Sequence, residues 1–214
     1  MKNVVLLFLL IVLSVSMQGQ ITDPGLYNES DFFRHKSPQL LDIQGWMSGP
    51  DDIFYAEGRY GYEGPNTASL FLGRKIPAIK GGTFNITPML GILAGSIIGL
   101  APALTFESDC GRFKFESENE YVVSYADKSQ NFFYDWSKIS YRFIHDTNSK
   151  GKTTFGLSIG AGVQYQTPPQ NTLYLGPMVR INIGNSFAIE YFTYRDILDK
   201  SWVFTFAIDL ESDD

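Results

Sequence analysis

The 214-residue sequence has little cysteine, little charge and hardly any long apolar run. Its one cysteine, Cys110, has no partner with which to form an internal disulfide. Cys110 lies in a predicted turn, residues 107–111, with no histidine beside it. Because a nucleophilic thiol needs a base within hydrogen-bond reach, we interpret Cys110 as an incidental turn residue.

Charged residues make up only 19% of the chain, and the net charge is −6, so the sequence lacks the basic patch of a nucleic-acid-binding protein. It also lacks metal-ligand spacing, a phosphate-binding loop and a dinucleotide fingerprint. The alternating acids Glu116, Glu118 and Glu120 predict a solvated or salt-bridged strand face, because alternate strand positions do not surround an ion. We therefore expect no nucleic acid, no metal and no cofactor.

The one long apolar run is residues 4–15, which follows the basic Lys2 and precedes the small residues Ser16 and Gly19. This order predicts a signal peptide over residues 1–20, and the run is too short for a typical transmembrane helix. A retained N-terminal anchor is the alternative. No cysteine lies near the predicted cleavage region, so we do not expect a lipoprotein.

Aromatic residues are abundant, at 15%, and accompany 20 glycines and 10 prolines, which favours a β-rich protein with many turns. Residues 152–165 show the pattern most clearly, because apolar side chains alternate with small or polar ones. One face carries Phe155, Leu157, Ile159, Ala161, Val163 and Tyr165, and the other carries Gly156, Ser158, Gly160, Gly162 and Gln164.

Alternation of this kind extends from residue 52 to residue 210 and predicts about ten strands, within a range of eight to twelve. Residues 21–51 lack it, so we predict an irregular N-terminal segment there, with one or two helical turns in 37–44. Residues 211–214 form the predicted C-terminal tail. Because the apolar face changes parity within 132–143, we also predict a β-bulge at Ser137 and Lys138.

The distribution of charge decides which face of each strand points inward. Nearly every predicted strand carries a charged residue on one face, and the other face is long and almost uncharged. A charge on a lipid-facing surface at mid-depth would cost about 2–4 kcal/mol. Aromatic residues lie at strand ends, as in interfacial girdles; they are Tyr60, Tyr62, Trp136, Tyr165, Tyr191 and Trp202. We therefore assign the charged face, including Glu107 and Asp135, to the interior of the barrel.

Residues 52–210, and the glycine-rich alternation of 152–165 above all, resemble a small outer-membrane β-barrel protein of Gram-negative bacteria. The resemblance implies an all-β, antiparallel, up-and-down transmembrane barrel located in the bacterial outer membrane. It further implies contact with membrane lipid and a structural or interaction role in the cell envelope, without catalysis. An envelope protein or a small ligand would be the further partner.

Side chains should fill the lumen of a barrel of eight to ten strands, and buried charges should pair with one another. We therefore predict a closed lumen with a network of paired charges. Its predicted members are Glu57, Arg59, Arg112, Lys114, Glu116, Glu120, Arg142, Arg180, Glu190 and Asp209.

Two alternatives remain. His145 and Thr147 lie two residues apart and faintly resemble the His-x-Ser segment of outer-membrane lipid A deacylases, with Thr147 in the serine position. A lipid hydrolase of this kind would need both side chains on the lipid-facing rim. A soluble periplasmic barrel that binds an apolar ligand would instead need the apolar face to be its interior.

Overall fold

The computed structural model describes residues 22–33, 41–48, 54–78, 84–149, 152–184 and 186–211. Among them, no helix is long and apolar enough to cross a membrane. The strands, in chain order, are β1 (Thr22–Phe33), β2 (Leu41–Ser48), β3 (Phe54–Tyr60), β4 (Thr67–Arg74), β5 (Ile76–Pro77), β6 (Phe84–Gly95), β7 (Gly99–Cys110), β8 (Phe113–Ser124), β9 (Phe132–Thr147), β10 (Thr153–Gln166), β11 (Thr172–Ile183), β12 (Phe187–Asp196) and β13 (Trp202–Glu211).

Within the described residues, twelve of these strands pair in one antiparallel circuit. Strands that follow each other in the chain pair with each other, β1 pairs with β13, and β4 pairs with β6 past the two-residue β5. This confirms the predicted all-β, up-and-down fold, and the strand number lies at the upper end of the predicted range. We call the end of the barrel where β1 begins and β13 ends the terminal end, and the opposite end the far end.

The prediction that residues 21–51 are irregular is wrong, because β1 and β2 lie within this range. Tyr27 of β1 pairs with Gln44 on one side and with Asp209 on the other, so hydrogen bonds to two neighbours hold a segment that has no clear alternation. Residues 41–44, placed in helical turns by the sequence, belong to β2. The predicted signal peptide and residues 34–40 and 212–214 lie outside the described residues.

The outer wall is apolar and the charged side chains of the strands lie mainly on the inner wall, as in a membrane-spanning barrel. Large side chains such as Leu72, Ile92 and Ile159 are about half exposed on the outside. Exposed aromatic side chains lie near both ends: Phe54, Phe113 and Phe143 at the terminal end, and Tyr121, Tyr125 and Trp202 at the far end. The soluble-barrel alternative requires the apolar face of the strands to be the interior. In the structure this face is the outer surface of the barrel.

The prediction of a β-bulge at Ser137 and Lys138 is wrong. The register between β8 and β9 runs without a shift from Phe113 opposite Tyr141 to Val122 opposite Phe132. Strand β9 changes register later, where Leu157 pairs with Ile144 but Ser158 pairs with Arg142.

The unbroken register corrects two predicted orientations in β9, those of Trp136 and Asp135, and assigns one to Lys138, which the predicted bulge left unassigned. Trp136 faces the lumen, where its Nε1 donates to the Tyr194 hydroxyl at 3.2 Å, so it is not part of a lipid-facing girdle. Asp135 faces outward, although we predicted that it faces inward. Lys138 faces inward and is buried. The parity change in the sequence therefore reflects inward aromatic residues and an outward acid, not an inserted residue.

Candidate functional site in the barrel lumen

Large apolar side chains fill the half of the lumen nearer the far end. Two of them lie against glycines of nearby strands, because a Cβ at Gly91, the cross-strand partner of Phe71, would be 2.4 Å from the Phe71 ring and one at Gly162 would be 2.6 Å from the Tyr194 hydroxyl oxygen. The buried residues form two clusters: Phe71, Met89, Leu93, Ile97, Ala101, Ala103, Val122 and Phe132 in one, and Met178, Phe192, Tyr194 and Val203 in the other.

Arg59 lies beside the first apolar cluster, surrounded by carboxylates. Its Nη1 is 2.5 Å from Glu118 Oε1, 2.8 Å from Glu120 Oε2 and 3.9 Å from Glu63 Oε1, and its Nε donates to Glu57. These four glutamates and Arg59 define the Arg59 cluster. One guanidinium thus faces four carboxyl groups, and all five side chains are buried.

Neutral groups complete the Arg59 cluster. Gln44 Nε2 and the Tyr55 hydroxyl donate to the two oxygens of Glu57 at 2.7 and 2.8 Å, and Ser69 Oγ donates to Glu63 at 2.7 Å. The guanidinium carbon of Arg59 lies 4.2 Å from the centroid of the Phe71 ring, a cation–π distance. The cluster therefore ties four strands and a turn to the apolar filling.

A second group of charges, the central chain, crosses the middle of the lumen. Lys138 Nζ lies 3.3 Å from Glu116 and 3.0 Å from Glu190, and Arg180 contacts Glu190 at 2.6 Å and Asp209 at 2.8 Å. Cations and carboxylates alternate along this chain. It links β8, β9, β11, β12 and β13 across the interior, and such pairing lowers the cost of burying each charge.

The terminal end opens into a basic vestibule, a cavity of about 320 Å³. It is lined by Arg112, Lys114, Arg142, His145 and Arg180, with Asp109 as its one carboxylate among the lining residues. A second cavity of about 240 Å³ lies on the other side of Lys114 and reaches Glu57 and Glu118. Free space therefore lies toward the terminal end, whereas the far half is filled.

The ten predicted network residues all lie in the lumen or at its mouth, but they divide into separate groups. Glu57, Arg59 and Glu120 lie in the Arg59 cluster. The central chain contains Glu116, Arg180, Glu190 and Asp209, and Lys114 contacts Glu116 at 3.1 Å. At the mouth, Arg142 contacts Asp109 at 3.0 Å, and Arg112 donates to the Tyr141 hydroxyl at 3.3 Å. Their action as one stabilising network stays a prediction.

Three charged residues that the predicted network omits are central to these groups. Glu63 comes from the turn after β3, and no strand pattern could place it. Lys138 was obscured by the assumed bulge. Glu118 did carry a signal, because it alternates with Glu116 and Glu120 on one strand face. The alternation could have identified Glu118, but the contacts of the other two depend on tertiary structure.

The structure places His145 in the lining of the vestibule, on the lumen side of the barrel. Thr147 is exposed at the end of β9. The hydrolase hypothesis requires both side chains on the lipid-facing rim, but His145 lies on the lumen side. In the described ranges, no group of three or more His, Cys, Asp or Glu side chains is arranged to hold a metal ion.

No protein-family model and no curated protein matches the chain. Similar solved structures include the KdgM porin in complex with disordered oligogalacturonate, with a TM-score of 0.57, 9% identity, and coverage of 88% of this chain and 98% of that chain. The chain has the fold of bacterial outer-membrane channels. The NanC porin has a TM-score of 0.52 at 11% identity, covering 87% of this chain and 98% of that one.

An outer-membrane channel from Pseudomonas putida F1 has a TM-score of 0.51 at 9% identity, covering 90% of this chain and 96% of that chain. At such low identities, the structural similarity shows a shared fold and does not indicate which solute, if any, this chain transports. The barrel fold and the apolar outer wall agree with the location predicted from the sequence, the bacterial outer membrane.

Proposed function

We propose that this outer-membrane barrel is closed to free diffusion and has a structural or interaction role in the envelope, without catalysis. The observation that carries the proposal is the filled far half of the lumen, which contains two apolar clusters and the Arg59 cluster beside the first of them. A solute that entered from the terminal end would meet Phe71 and Phe192, which are fully buried. Loops and the outer wall are then the surfaces left for partners.

Conductance in planar lipid bilayers tests this closure. We expect the purified protein to insert without giving a steady open-pore current in concentrated KCl. The double variant Phe71→Ala with Phe192→Ala removes two rings from the filling and should give a measurable current. Phe206→Ala, which removes an exposed ring from the outer wall of β13, is the matched control and should stay closed.

A steady ohmic current from the unmodified protein, equal to that of the double variant, would overturn the closed-lumen proposal. Retention of the heat-dependent shift in gel mobility in every variant would show that the barrels remain folded, so that the currents can be compared.

A second candidate function, a channel for small acidic solutes, is favoured by one observation, the basic vestibule. Arg112, Lys114 and Arg142 are only partly neutralised by Asp109 and Glu116. The KdgM porin of similar fold is recorded with oligogalacturonate, an acidic sugar chain. Uptake of a labelled oligogalacturonate into proteoliposomes that depends on Arg112 and Arg142 would favour this channel, and uptake indistinguishable from empty liposomes would exclude it for that solute.

A further inference from the structure

Four polar side chains form a patch on the outward face of the barrel. Ser117 and Asn119 belong to β8, and Asp135 and Ser137 belong to β9. Asn119 Nδ2 donates to Ser117 Oγ at 2.9 Å, and Ser137 Oγ lies 2.9 Å from Ser117 Oγ and 3.1 Å from Asp135 Oδ2. The strand register sets Ser117 opposite Ser137 and Asn119 opposite Asp135. These four residues define the outer polar patch.

The patch lies within the apolar wall and not beyond it. Toward the far end, the next outward pair is Tyr121 and Phe133, and toward the terminal end it is Phe115 and Ile139. Tyr121 is 46% exposed and Ile139 is 52% exposed, so both contribute to the outer surface. An ionisable side chain on a lipid-facing wall destabilises a barrel by an amount that grows with its depth. A polar partner at this position would remove that cost.

The chemistry of the patch matches a second copy of itself. It holds a donor, the Asn119 amide, next to an acceptor, the Asp135 carboxylate, on adjacent strands. Two copies with the same orientation in one membrane are related by a two-fold axis along the membrane normal, and such an interface pairs residue i with j and j with i. An axis that passes between β8 and β9 therefore sets Asn119 of each copy opposite Asp135 of the other.

We propose that the outer polar patch is the contact at which two copies of this chain associate in the membrane. The exposed Phe115, Tyr121 and Ile139 around the patch supply the apolar rim of the contact. This contact lies on the outer surface of the barrel, away from the lumen. The proposal therefore does not depend on whether the lumen is closed or open.

Cysteine cross-linking in native membranes tests the proposal. In a Cys110→Ser background, Ser137→Cys is expected to give a disulfide-linked dimer under mild oxidation. Phe206→Cys, outward on β13 four strands away, is the matched control, and it should give several-fold less dimer. Equal yields from the two variants would mean random collision and would overturn the proposal. A cross-linked product of another mass would identify a different partner protein and would also overturn it.

Native mass spectrometry of the unmodified protein in lipid nanodiscs gives a second measurement that needs no disulfide geometry. A dimer that is lost in Asn119→Asp supports the proposal, because this substitution sets carboxylates opposite each other across the axis. The same variant should keep the heat-dependent mobility shift of a folded barrel. A monomer throughout, with or without bound lipid, would overturn the proposed contact.

Discussion

Toward the far end of the lumen, one buried guanidinium, Arg59, lies among four carboxyl groups, whereas at the terminal end Arg112, Lys114 and Arg142 face Asp109 at an open mouth. The side chain of Arg59 is fully inaccessible, and those of Lys114 and Arg142 are 34% and 27% exposed. The same residue types therefore have different roles, because solvent screens the second group and not the first.

The two ends also differ in what surrounds the charge. Arg59 lies over Phe71 and beside a filled apolar cluster, so its charge is compensated by its neighbours and not by water. The vestibule contains free space and a surplus of positive charge. The far half is thus filled, with its charge compensated inside the protein, whereas the terminal half has free space beside basic side chains.

The largest expected effect comes from Arg59→Met, which removes the one cation from the Arg59 cluster. Breaking a buried ion pair by removing one partner typically costs about 3–5 kcal/mol, because it leaves an uncompensated buried charge. We expect a clear drop in the temperature at which the fast-migrating folded band disappears from a denaturing gel. An unchanged transition temperature would show that the far-half charges do not stabilise the barrel.

A smaller effect is expected from Gly91→Val, which tests the filling without changing any charge. The new side chain would overlap the Phe71 ring, since even a Cβ would lie 2.4 Å from it. Overpacking of this kind typically costs about 1–3 kcal/mol. The check is the same thermal transition, with outward Ala161→Val as the matched control. Equal transition temperatures for the two variants would show that close packing of Phe71 against β6 does not contribute to stability.

The smallest effect is expected from Arg142→Met at the vestibule. Its ion pair with Asp109 is partly exposed, and such pairs contribute about 0–1 kcal/mol. Any loss should vanish in about 1 M salt, where the screening length falls to about 3 Å. Thermal unfolding in low and high salt measures this. Destabilisation as large as that of Arg59→Met would erase the distinction between the two ends.

Alternation in the sequence was sufficient to predict the barrel wall. Residues 152–165 form β10 almost as predicted, with Ile159 exposed on the outside and Ser158 and Gly162 buried on the inside. Alternation was not sufficient for β1, whose pairing with β2 and β13 comes from backbone hydrogen bonds. It was misleading in β9, where Trp136 is aromatic but fills the lumen.

The candidate site was only partly predictable for the same reason. The period of a strand tells which residues share a face, so Arg59, Glu120 and Arg180 could be assigned to the interior. It carries no information about which strands face each other across the lumen. Glu63, from a turn, and Lys138, opposite Glu190, acquire their contacts only when the wall closes.

By itself, the sequence determined that strands alternate an apolar with a charged face, and therefore that the chain forms a barrel with lipid outside and charge inside. The tertiary structure decided that the charge divides into a buried Arg59 cluster, a central chain and an open basic vestibule. The physical reason is that facing is a local property of a strand with a two-residue period, whereas pairing across the lumen depends on closure and stagger of the whole ring.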